Sequence, residues 1–314
     1  MSTYIIRRIL HTIVILFLVS FLSFILLQLV PGDPAASMLG IDAKREEVEA
    51  MREELWLDRP ILVQYGHWLS NALQGDLGKS LMFQETVGQI FLDRLPVTLY
   101  LSLIAFVVSS ILGIGAGIIC AIRRGGILDQ LVSLCANVGI AIPMFWLGIL
   151  GIYFFGLKAG WLPIYGWTSP FDDFVLSCKK ALMPIILLST PGIAVLTRQS
   201  RSSMLEVVSQ DYIRTALSKG LSEKIVLLRH ALKNALIPVI TLMGLHVRQM
   251  VGGSVLVETV FSIPGMGRVL VSSAINKDFL VVQGGVLLIG IIVCFSNLTV
   301  DILYGWLNPR LRYE

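Results

Sequence analysis

The stretch ILHTIVILFLVSFLSFILLQLV, residues 9–30, contains no aspartate, glutamate, lysine or arginine. A membrane-spanning helix needs about 20 predominantly apolar residues, so this run predicts a transmembrane helix. Arg7 and Arg8 precede it, as basic residues precede the apolar core of a secretory signal peptide, but that core is only about 7–15 residues long. Because the run is longer, we expect the segment to remain in the protein as a membrane span.

The rest of the chain has the same character. Of its 314 residues, 55% are hydrophobic and only 15% are charged. A soluble globular protein carries about 25% charged residues, so this chain has too few charges for a surface that faces water. The composition therefore excludes a soluble globular protein.

Five further apolar runs predict five further spans. Prolines lie inside the third and fourth of the six spans, and the fourth gives the weakest signal because Pro184 and Pro191 interrupt it. Membrane helices tolerate such breaks where neighbouring helices or water satisfy the freed carbonyl groups. We therefore predict an all-α polytopic membrane protein with six transmembrane helices. The further runs cover residues 96–122, 128–157, 181–197, 235–257 and 281–304.

The charges between the spans predict the orientation. Cytoplasmic loops carry an excess of lysine and arginine, and residues 198–234 hold seven basic residues against three acidic ones. Residues 31–95 hold eleven acidic residues against six basic ones. Both termini are therefore expected in the cytoplasm, where the pairs Arg7/Arg8, Arg123/Arg124 and Arg310/Arg312 would lie, and residues 31–95, 158–180 and 258–280 outside.

The predicted organisation has three parts. Residues 1–30 form the cytoplasmic N-terminus and first span, residues 31–95 an extracytoplasmic segment, and residues 96–314 a five-helix core that includes the cytoplasmic region 198–234. Apolar residues at helical spacing predict two short helices in the extracytoplasmic segment, which we interpret as a small helical cap with packing faces. The two stripes are Val48, Met51 and Leu55, and Ile61, Tyr65, Trp68 and Leu69.

Glycine pairs within two spans predict close helix packing. Gly113 and Gly117 form a GxxxG pattern in the second span, and Gly252 and Gly253 are adjacent in the fifth. Small residues allow helix backbones to approach closely in a membrane. Packing within the subunit is the simpler interpretation, and a dimer contact is the alternative.

Motifs of catalysis are missing. Residues 73–80, LQGDLGKS, end like a phosphate-binding loop, but position 73 is Leu where that loop needs glycine, and no hydrophobic strand precedes the segment. No HExxH or GxSxG motif occurs, and the four cysteines form no CxxC pair that would indicate a disulfide framework or a zinc site. We expect a chain that is not an enzyme and has no metal site.

One arginine lies well inside a predicted span. Arg248 is accompanied by His246 and Gln249 on the fifth helix, and ionisable residues within a membrane commonly mark substrate or ion pathways. Two interpretations remain open for Arg248: it meets an anionic group of a ligand in a water-filled pathway, or it snorkels or pairs with a partner chain. A lone arginine is weak support for a proton relay.

The region between the fourth and fifth spans is charged and predicts two short helices. Ser209 or Asp211 is expected to cap the first, and Lys219 followed by Gly220 to end it. Ser222 is expected to cap the second. An apolar stripe of the second helix leads into the fifth span: Ile225, Leu228, Leu232 and Leu236. The pattern indicates a rigid protrusion on the cytoplasmic face.

This region resembles the EAA loop of permease subunits of binding-protein-dependent ABC importers. That pattern reads E-A-A, three residues, G, nine residues, I-x-L-P. Here residues 214–216 read RTA, the glycine is Gly220, and residues 230–233 read HALK, so the initial Glu, one Ala, the Ile and the Pro differ. Further segments are similar to the dipeptide, oligopeptide and nickel permease branch: VPGDPA (30–35), LDRPILVQYGHWL (57–69), GDLGKS (75–80), VLVETVFSIPGMGR (255–268) and VDILYGWLNPRLR (300–312).

The resemblance implies a type I ABC importer permease in the bacterial plasma (inner) membrane. It implies a homologous but different second permease, two cytoplasmic ABC ATPases that carry ATP and magnesium, and an extracytoplasmic solute-binding protein, with no cofactor on this chain and no nucleic acid. Residues 209–221 would be the coupling helix, with Thr215 and Ala216 keeping its surface low enough to fit an ATPase cleft. The coupling residues would be Asp211, Tyr212, Arg214, Thr215, Ala216, Lys219, Gly220 and Leu221.

The substrate stays open within this branch. We expect import of di- or oligopeptides, with nickel, a metal chelate or glutathione as alternatives that use the same machinery. An ion-coupled secondary carrier or channel is the alternative from another class, in which a single chain would suffice.

Overall fold

The computed structural model describes residues 2–28, 34–39, 44–54, 56–80 and 82–307. Within these ranges the chain is helical, and the only strand-like pairing is an isolated bridge between Lys79 and Thr86. The helices in chain order are α1 Ser2–Gln28, α2 Pro34–Leu39, α3 Arg45–Glu54, α4 Ile61–Leu73, α5 Val87–Ile122, α6 Ile127–Ala141, α7 Met144–Gly151, α8 Phe174–Val208, α9 Asp211–Ser218, α10 Glu223–Ile225, α11 Leu232–Val260, α12 Met266–Ile275 and α13 Phe279–Leu307.

Five of the six predicted spans are confirmed as continuous apolar helices that are long enough to cross a membrane. All five begin or end beyond the predicted limits, because polar residues at the ends of a span continue the helix. A π-helical turn, Val226–Ala231, joins α10 to α11, so the fifth span is one helical segment from Val226 to Val260. The predicted tail residues Arg310 and Arg312 lie outside the described ranges.

The remaining predicted span, the third in chain order (residues 128–157), is not one straight helix. It consists of α6 and of α7 with its π-helical extension to Lys158, and the two segments are bent by 103°. Ile142 is extended (φ −83°, ψ 128°) and Pro143 follows it. A residue that precedes proline is pushed out of the α region by the proline ring, which explains why the helix breaks here.

Helix α8 contains two prolines and is nevertheless continuous. The prediction that Pro184 and Pro191 interrupt it is wrong, because the helix runs unbroken through both prolines over 35 residues. More than half of its apolar window is buried, and α6, α7 and α11 all pack against it. Such neighbours hold a proline-containing membrane helix together.

The chain divides into two compact units, one built mainly from Leu99–Ile263 and the other from Ile6–Thr98 and Pro264–Phe295. In the first unit, a Cβ atom at Gly113 would collide with Leu196, and one at Gly117 would collide with Thr197 and Ser200. The GxxxG pattern therefore packs α5 against α8 of the same chain, which confirms the simpler interpretation.

The second unit contains the predicted helical cap. Tyr65 and Trp68 of α4 are buried against Phe24 of α1, as predicted, and the Tyr65 hydroxyl lies 2.8 Å from the hydroxyl of Ser20. The prediction for Ile61 is wrong, because half of this residue is exposed at the start of α4. Leu55 of the other stripe lies outside the described residues.

Candidate functional sites

Helix α9 begins at Asp211, and the predicted caps are wrong. Gln210 occupies the N-cap position and its side chain makes no capping hydrogen bond. Ser209 instead donates its hydroxyl to the carbonyl of Glu206 at 2.7 Å. Asp211 lies in the first turn, where a carboxylate stabilises the positive end of the helix dipole.

One face of α9 is fixed to the body of the chain. Ile213 and Ala216 are buried in a cluster that includes Met204 of α8, Val226 of the π-helical turn and Ala231. Ala216 was expected on the outer surface, and it is instead 9% exposed. Its small side chain serves close packing within this chain, because a larger one would push α9 away from its own core.

The other face of α9 is available for contact. Asp211, Arg214, Thr215 and Lys219 are all exposed, and Arg214 lies 3.8 Å from Asp211 in a loose ion pair. Such an exposed pair contributes little to stability, so both charges remain free for other contacts.

Tyr212 ties α9 to the beginning of α11. Its hydroxyl accepts a hydrogen bond from the Asn234 amide at 2.8 Å, while 43% of the residue stays exposed. Local sequence could not predict this hydrogen bond, because 22 residues separate its two members.

The predicted end of α9 is confirmed. Lys219 is the C-cap residue, and Gly220 has a φ of +80° in the left-handed region that favours glycine. No atom lies within 4 Å of the place where a Cβ of residue 220 would be. The glycine is therefore required by the backbone turn and not by a crowded contact. Leu221, which follows, is partly exposed at 38%.

The second helix differs from its prediction in register. Ser222 is at the N-cap position, but its side chain makes no capping hydrogen bond. The stripe is wrong at its start, because Ile225 and Leu228 are about half exposed while Val226 and Ala231 are buried. A π-helical turn inserts an extra residue into the helical repeat, which rotates the buried face away from the positions that a regular α-helix would place there.

The three predicted pathway residues do not lie together. His246 is buried and lies 3.1 Å from the Ser109 hydroxyl, and a Cβ atom at Gly192 would overlap its ring. Arg248 is exposed and donates to Asn297 at 3.1 Å. Residues two positions apart point to different sides of a helix, so Arg248 cannot share the His246 face.

His246 and Gln249 instead line a cavity of about 380 Å³. Its other walls include Pro143 at the bend between α6 and α7, and Thr190 and Pro191 of α8. Prediction missed this cavity, since only the fold brings three distant segments together. In the sequence, only Pro143 points to this site, because a proline inside a predicted span indicates a bend.

A second missed feature is an ion pair between the first turn of α6 and α8. Arg201 donates to both carboxylate oxygens of Asp129, at 2.6 and 2.8 Å, and the backbone N–H of Gly125 also donates to this carboxylate at 2.9 Å. Asp129 is almost fully buried. A bidentate pair of this kind fixes both position and orientation, so it locks the start of α6 onto α8.

Metal ligands are not clustered in the described part of the chain. No group of three or more histidine, cysteine, aspartate or glutamate side chains is placed there to hold a metal ion.

Comparison with known proteins gives two family matches. Residues 113–313 match the family described as "Binding-protein-dependent transport system inner membrane component". Residues 1–102 match the family described as "Binding-prot-dependent transport system membrane comp, N-term".

Similar proteins match over the whole length of both chains. A putative peptide transport system permease protein of Brucella abortus (strain 2308) is 42% identical over 315 residues. A probable peptide ABC transporter permease protein of Sinorhizobium fredii (strain NBRC 101917 / NGR234) is 40% identical over 313 residues. The glutathione transport system permease protein GsiC of Escherichia coli (strain K12) is 40% identical over 314 residues.

Among solved structures, a chain of the MetNI methionine ABC transporter in an inward-facing conformation superimposes with a TM-score of 0.57. The match covers 70% of this chain and 97% of that chain at 17% identity. At this identity the likeness concerns the fold alone.

Proposed function

Since the chain belongs to the family of binding-protein-dependent transport system inner membrane components, we propose that it forms half of the translocation pathway of an importer for di- and oligopeptides. Membership makes it a non-catalytic permease subunit of an ABC importer that crosses the bacterial inner membrane several times. We infer the substrate class from the 40–42% identity that this chain shares, over its full length, with relatives named as peptide permeases. The relative named for glutathione, itself a tripeptide, fits the same class.

The proposed complex has five parts. A homologous, non-identical permease completes the pathway, two cytoplasmic ATPases bind ATP and magnesium, and an extracytoplasmic binding protein delivers the substrate. This chain binds no cofactor in the complex. ATP drives transport only if the ATPases bind one conformation of the permease pair more tightly than the other.

In this proposal α9 is the coupling helix. Its exposed residues Asp211, Arg214, Thr215 and Lys219 contact one ATPase, while Ile213 and Ala216 hold the helix to the permease. The position of α9 supports this role, because its cluster includes Ile118 and Ala121 at the end of α5. Exposed Arg123 and Arg124 follow directly, as expected for the cytoplasmic side.

The test of the substrate class is ATPase activity of the full complex in lipid vesicles with its own binding protein. Di- and tripeptides should stimulate hydrolysis, and Ni²⁺ chelates should not. Stimulation by a nickel chelate without stimulation by peptides would replace the peptide proposal with the nickel alternative.

We place the substrate pathway near the cavity that His246 and Gln249 line. Arg248 is a separate candidate on another face of α11, where it would attract a carboxylate of the substrate. Arg248→Ala should impair peptide uptake without loss of complex assembly. Asn297→Ala is the matched control, because equal impairment by both variants would assign Arg248 a structural role through their shared hydrogen bond.

The ion-coupled carrier, the alternative from another class, is set aside because the chain matches the binding-protein-dependent family. It predicts that the purified chain alone accumulates substrate against a gradient in vesicles. The permease proposal predicts no accumulation under the same conditions.

A further inference from the structure

The cavity that His246 lines lies inside the membrane region of the chain. Pro191, another lining residue, belongs to the apolar run 181–197 that predicts the fourth span. It is the central residue of α8, because the helix runs from Phe174 to Val208 and 17 residues lie on either side of the proline. Backbone groups that leave a helix at membrane depth are tolerated only where they are buried in protein or line a water-filled cavity. The free backbone groups around this cavity are therefore of interest.

The first free carbonyl groups lie in the last turn of α6. The carbonyl of Val138 accepts the N–H of Ile142 at 3.1 Å. The carbonyl of Gly139 has no such partner, because Pro143 stands four residues later and has no N–H. The carbonyl of Ile140 also lies beyond the last helical donor. Both residues line the cavity, so the negative end of the α6 dipole lies at its wall.

A further free carbonyl comes from α8. Pro191 lies inside this unbroken helix and cannot donate to the carbonyl of Leu187, four residues earlier. The hydroxyls of Ser189 and Thr190 do not replace the missing donor, because both donate to the carbonyl of Ile186, at 2.9 and 2.7 Å. Leu187 and Pro191 both line the cavity. The carbonyl of Leu187 is therefore left for a donor from outside the helix.

These carbonyl groups belong to segments that touch each other. A Cβ atom at Gly139 would lie 3.4 Å from the methyl group of Thr190, the residue before Pro191. Carbonyl oxygens only accept hydrogen bonds, so this part of the wall selects a donor, and the negative helix end favours a donor with positive charge. None of the described residues that line the cavity is acidic. A cation here would be held by backbone oxygens and not by a carboxylate.

We propose that this cavity binds an organic ammonium group through the carbonyl oxygens of Gly139, Ile140 and Leu187. In broken membrane helices, C-terminal helix ends and unwound carbonyls commonly coordinate cations. Leu188 and Met250 supply apolar wall for the rest of the ligand. The choice of a peptide N-terminus as the ammonium rests on the proposed function, since an inorganic cation such as K⁺ would meet the same oxygens. Peptides of different sequence share this group, so the site would not select among side chains.

The experiment measures equilibrium binding to the full permease–ATPase complex in nanodiscs of phosphatidylglycerol, a lipid without an ammonium group, and without the binding protein. The probe is radiolabelled L-alanyl-L-phenylalanine amide, which carries an ammonium and no carboxylate. Its N-acetyl derivative is the comparison. We expect saturable binding of the free amine and at least tenfold weaker binding of the acetylated compound, because acetylation removes the positive charge that strengthens the hydrogen bonds.

Replacing a proline by alanine tests the carbonyl groups directly. Pro191→Ala returns an N–H that pairs with the Leu187 carbonyl inside α8, so binding of the free amine should weaken about tenfold or more. Thermal stability should be kept or raised, since the helix gains a hydrogen bond. Pro184→Ala is the matched control, because it restores a hydrogen bond in the same helix at a position outside the cavity lining, and it should bind like the wild type.

The outcomes separate this site from the proposed function. No saturable binding of the dipeptide amide, in a complex that still imports peptides with its binding protein, overturns the site and leaves the function standing. Equal binding by the wild type and Pro191→Ala, or equal loss in both proline variants, also overturns the site. Saturable binding of radioactive rubidium that Pro191→Ala weakens, without binding of the dipeptide amide, assigns the carbonyls to an inorganic cation and overturns the peptide.

Discussion

Replacing Gly220 tests the backbone turn at the end of α9 separately from side-chain packing. The φ of Gly220 is +80°, and no atom lies within 4 Å of a Cβ built at this position. A substitution therefore meets no steric obstacle, and its whole cost comes from placing an L-residue in the left-handed region. That cost is about 1–2 kcal/mol for most residues, and it is smaller for asparagine, which visits this region more readily.

These magnitudes predict an order of effects. Gly220→Asn should be mildest, Gly220→Ala should cost about 1 kcal/mol, and Gly220→Val should cost about 2 kcal/mol or more, because a branched Cβ crowds the backbone further. A cost of 1 kcal/mol lowers the population of the native turn relative to alternatives by about fivefold, and 2 kcal/mol by about 30-fold. Since Ile213 and Ala216 hold α9 to the core, the turn should distort while the membrane helices stay folded.

The assay compares retention of the ATPases during affinity purification and peptide-stimulated ATP hydrolysis across the series. Both should fall in the order glycine, asparagine, alanine, valine. Gly160→Val is the matched control, because Gly160 also has a positive φ of +66° and no atom within 4 Å of its Cβ position. Gly160 belongs to a segment that we place on the extracytoplasmic side, opposite to the proposed ATPase contact, so ATPase retention should be unchanged.

Two results would refute this reasoning. Equal loss in Gly220→Asn and Gly220→Val would mean that backbone strain does not set the effect. Wild-type coupling in Gly220→Val would remove the turn from the coupling mechanism.

Three further predictions concern packing and charge. Gly117→Ala should lower thermal stability by about 1–3 kcal/mol through overpacking, whereas Gly115→Ala, which meets no atom within 4 Å, should be neutral. Asp129→Asn should destabilise the protein by about 1–3 kcal/mol, because it leaves the partly buried Arg201 without its ionic partner. Adding Arg201→Met to this variant should recover part of the loss, since no unpaired arginine remains. Thermal unfolding of the wild type, the two single variants and the double variant measures the recovery. Ile213→Ala should cost about 2–4 kcal/mol of α9 docking by loss of buried surface, seen as faster hydrogen exchange of α9 amides and weaker ATPase retention.

Three prolines show what sequence can and cannot predict about the spans. The length and apolarity of each run predict the membrane helices, because the bilayer sets both requirements. They do not predict that Pro143 bends its span while Pro184 and Pro191 leave α8 unbroken. The difference lies in packing from distant segments, since α8 is enclosed by three helices that the local sequence does not identify.

The region from α9 to α11 shows the same difference between features set by local sequence and features set by distant residues. Gly220 could be predicted because a left-handed turn is a local backbone property. The caps and the stripe could not, since both assume a regular α-helix and the chain places a π-helical turn at Val226–Ala231. Burial of Ala216 was also beyond local sequence, because its neighbour Met204 belongs to another helix.

Burial of Ile213 and Ala216 connects α9 to a helix, α8, that continues from this contact to the cavity lined by His246. Ile213 packs with Met204 near the end of α8, and the same unbroken helix carries Thr190 at the cavity that His246 lines. At 1.5 Å per residue, the separation of Met204 and Thr190 along the helix axis is about 21 Å. Under the proposal that α9 couples the ATPases, a displacement of α9 would act on one continuous helix that extends to this cavity, which a helix attached only through flexible loops would lack. In that proposal the coupling depends on an unbroken α8, because a break at Pro191 would separate the contact with α9 from the cavity.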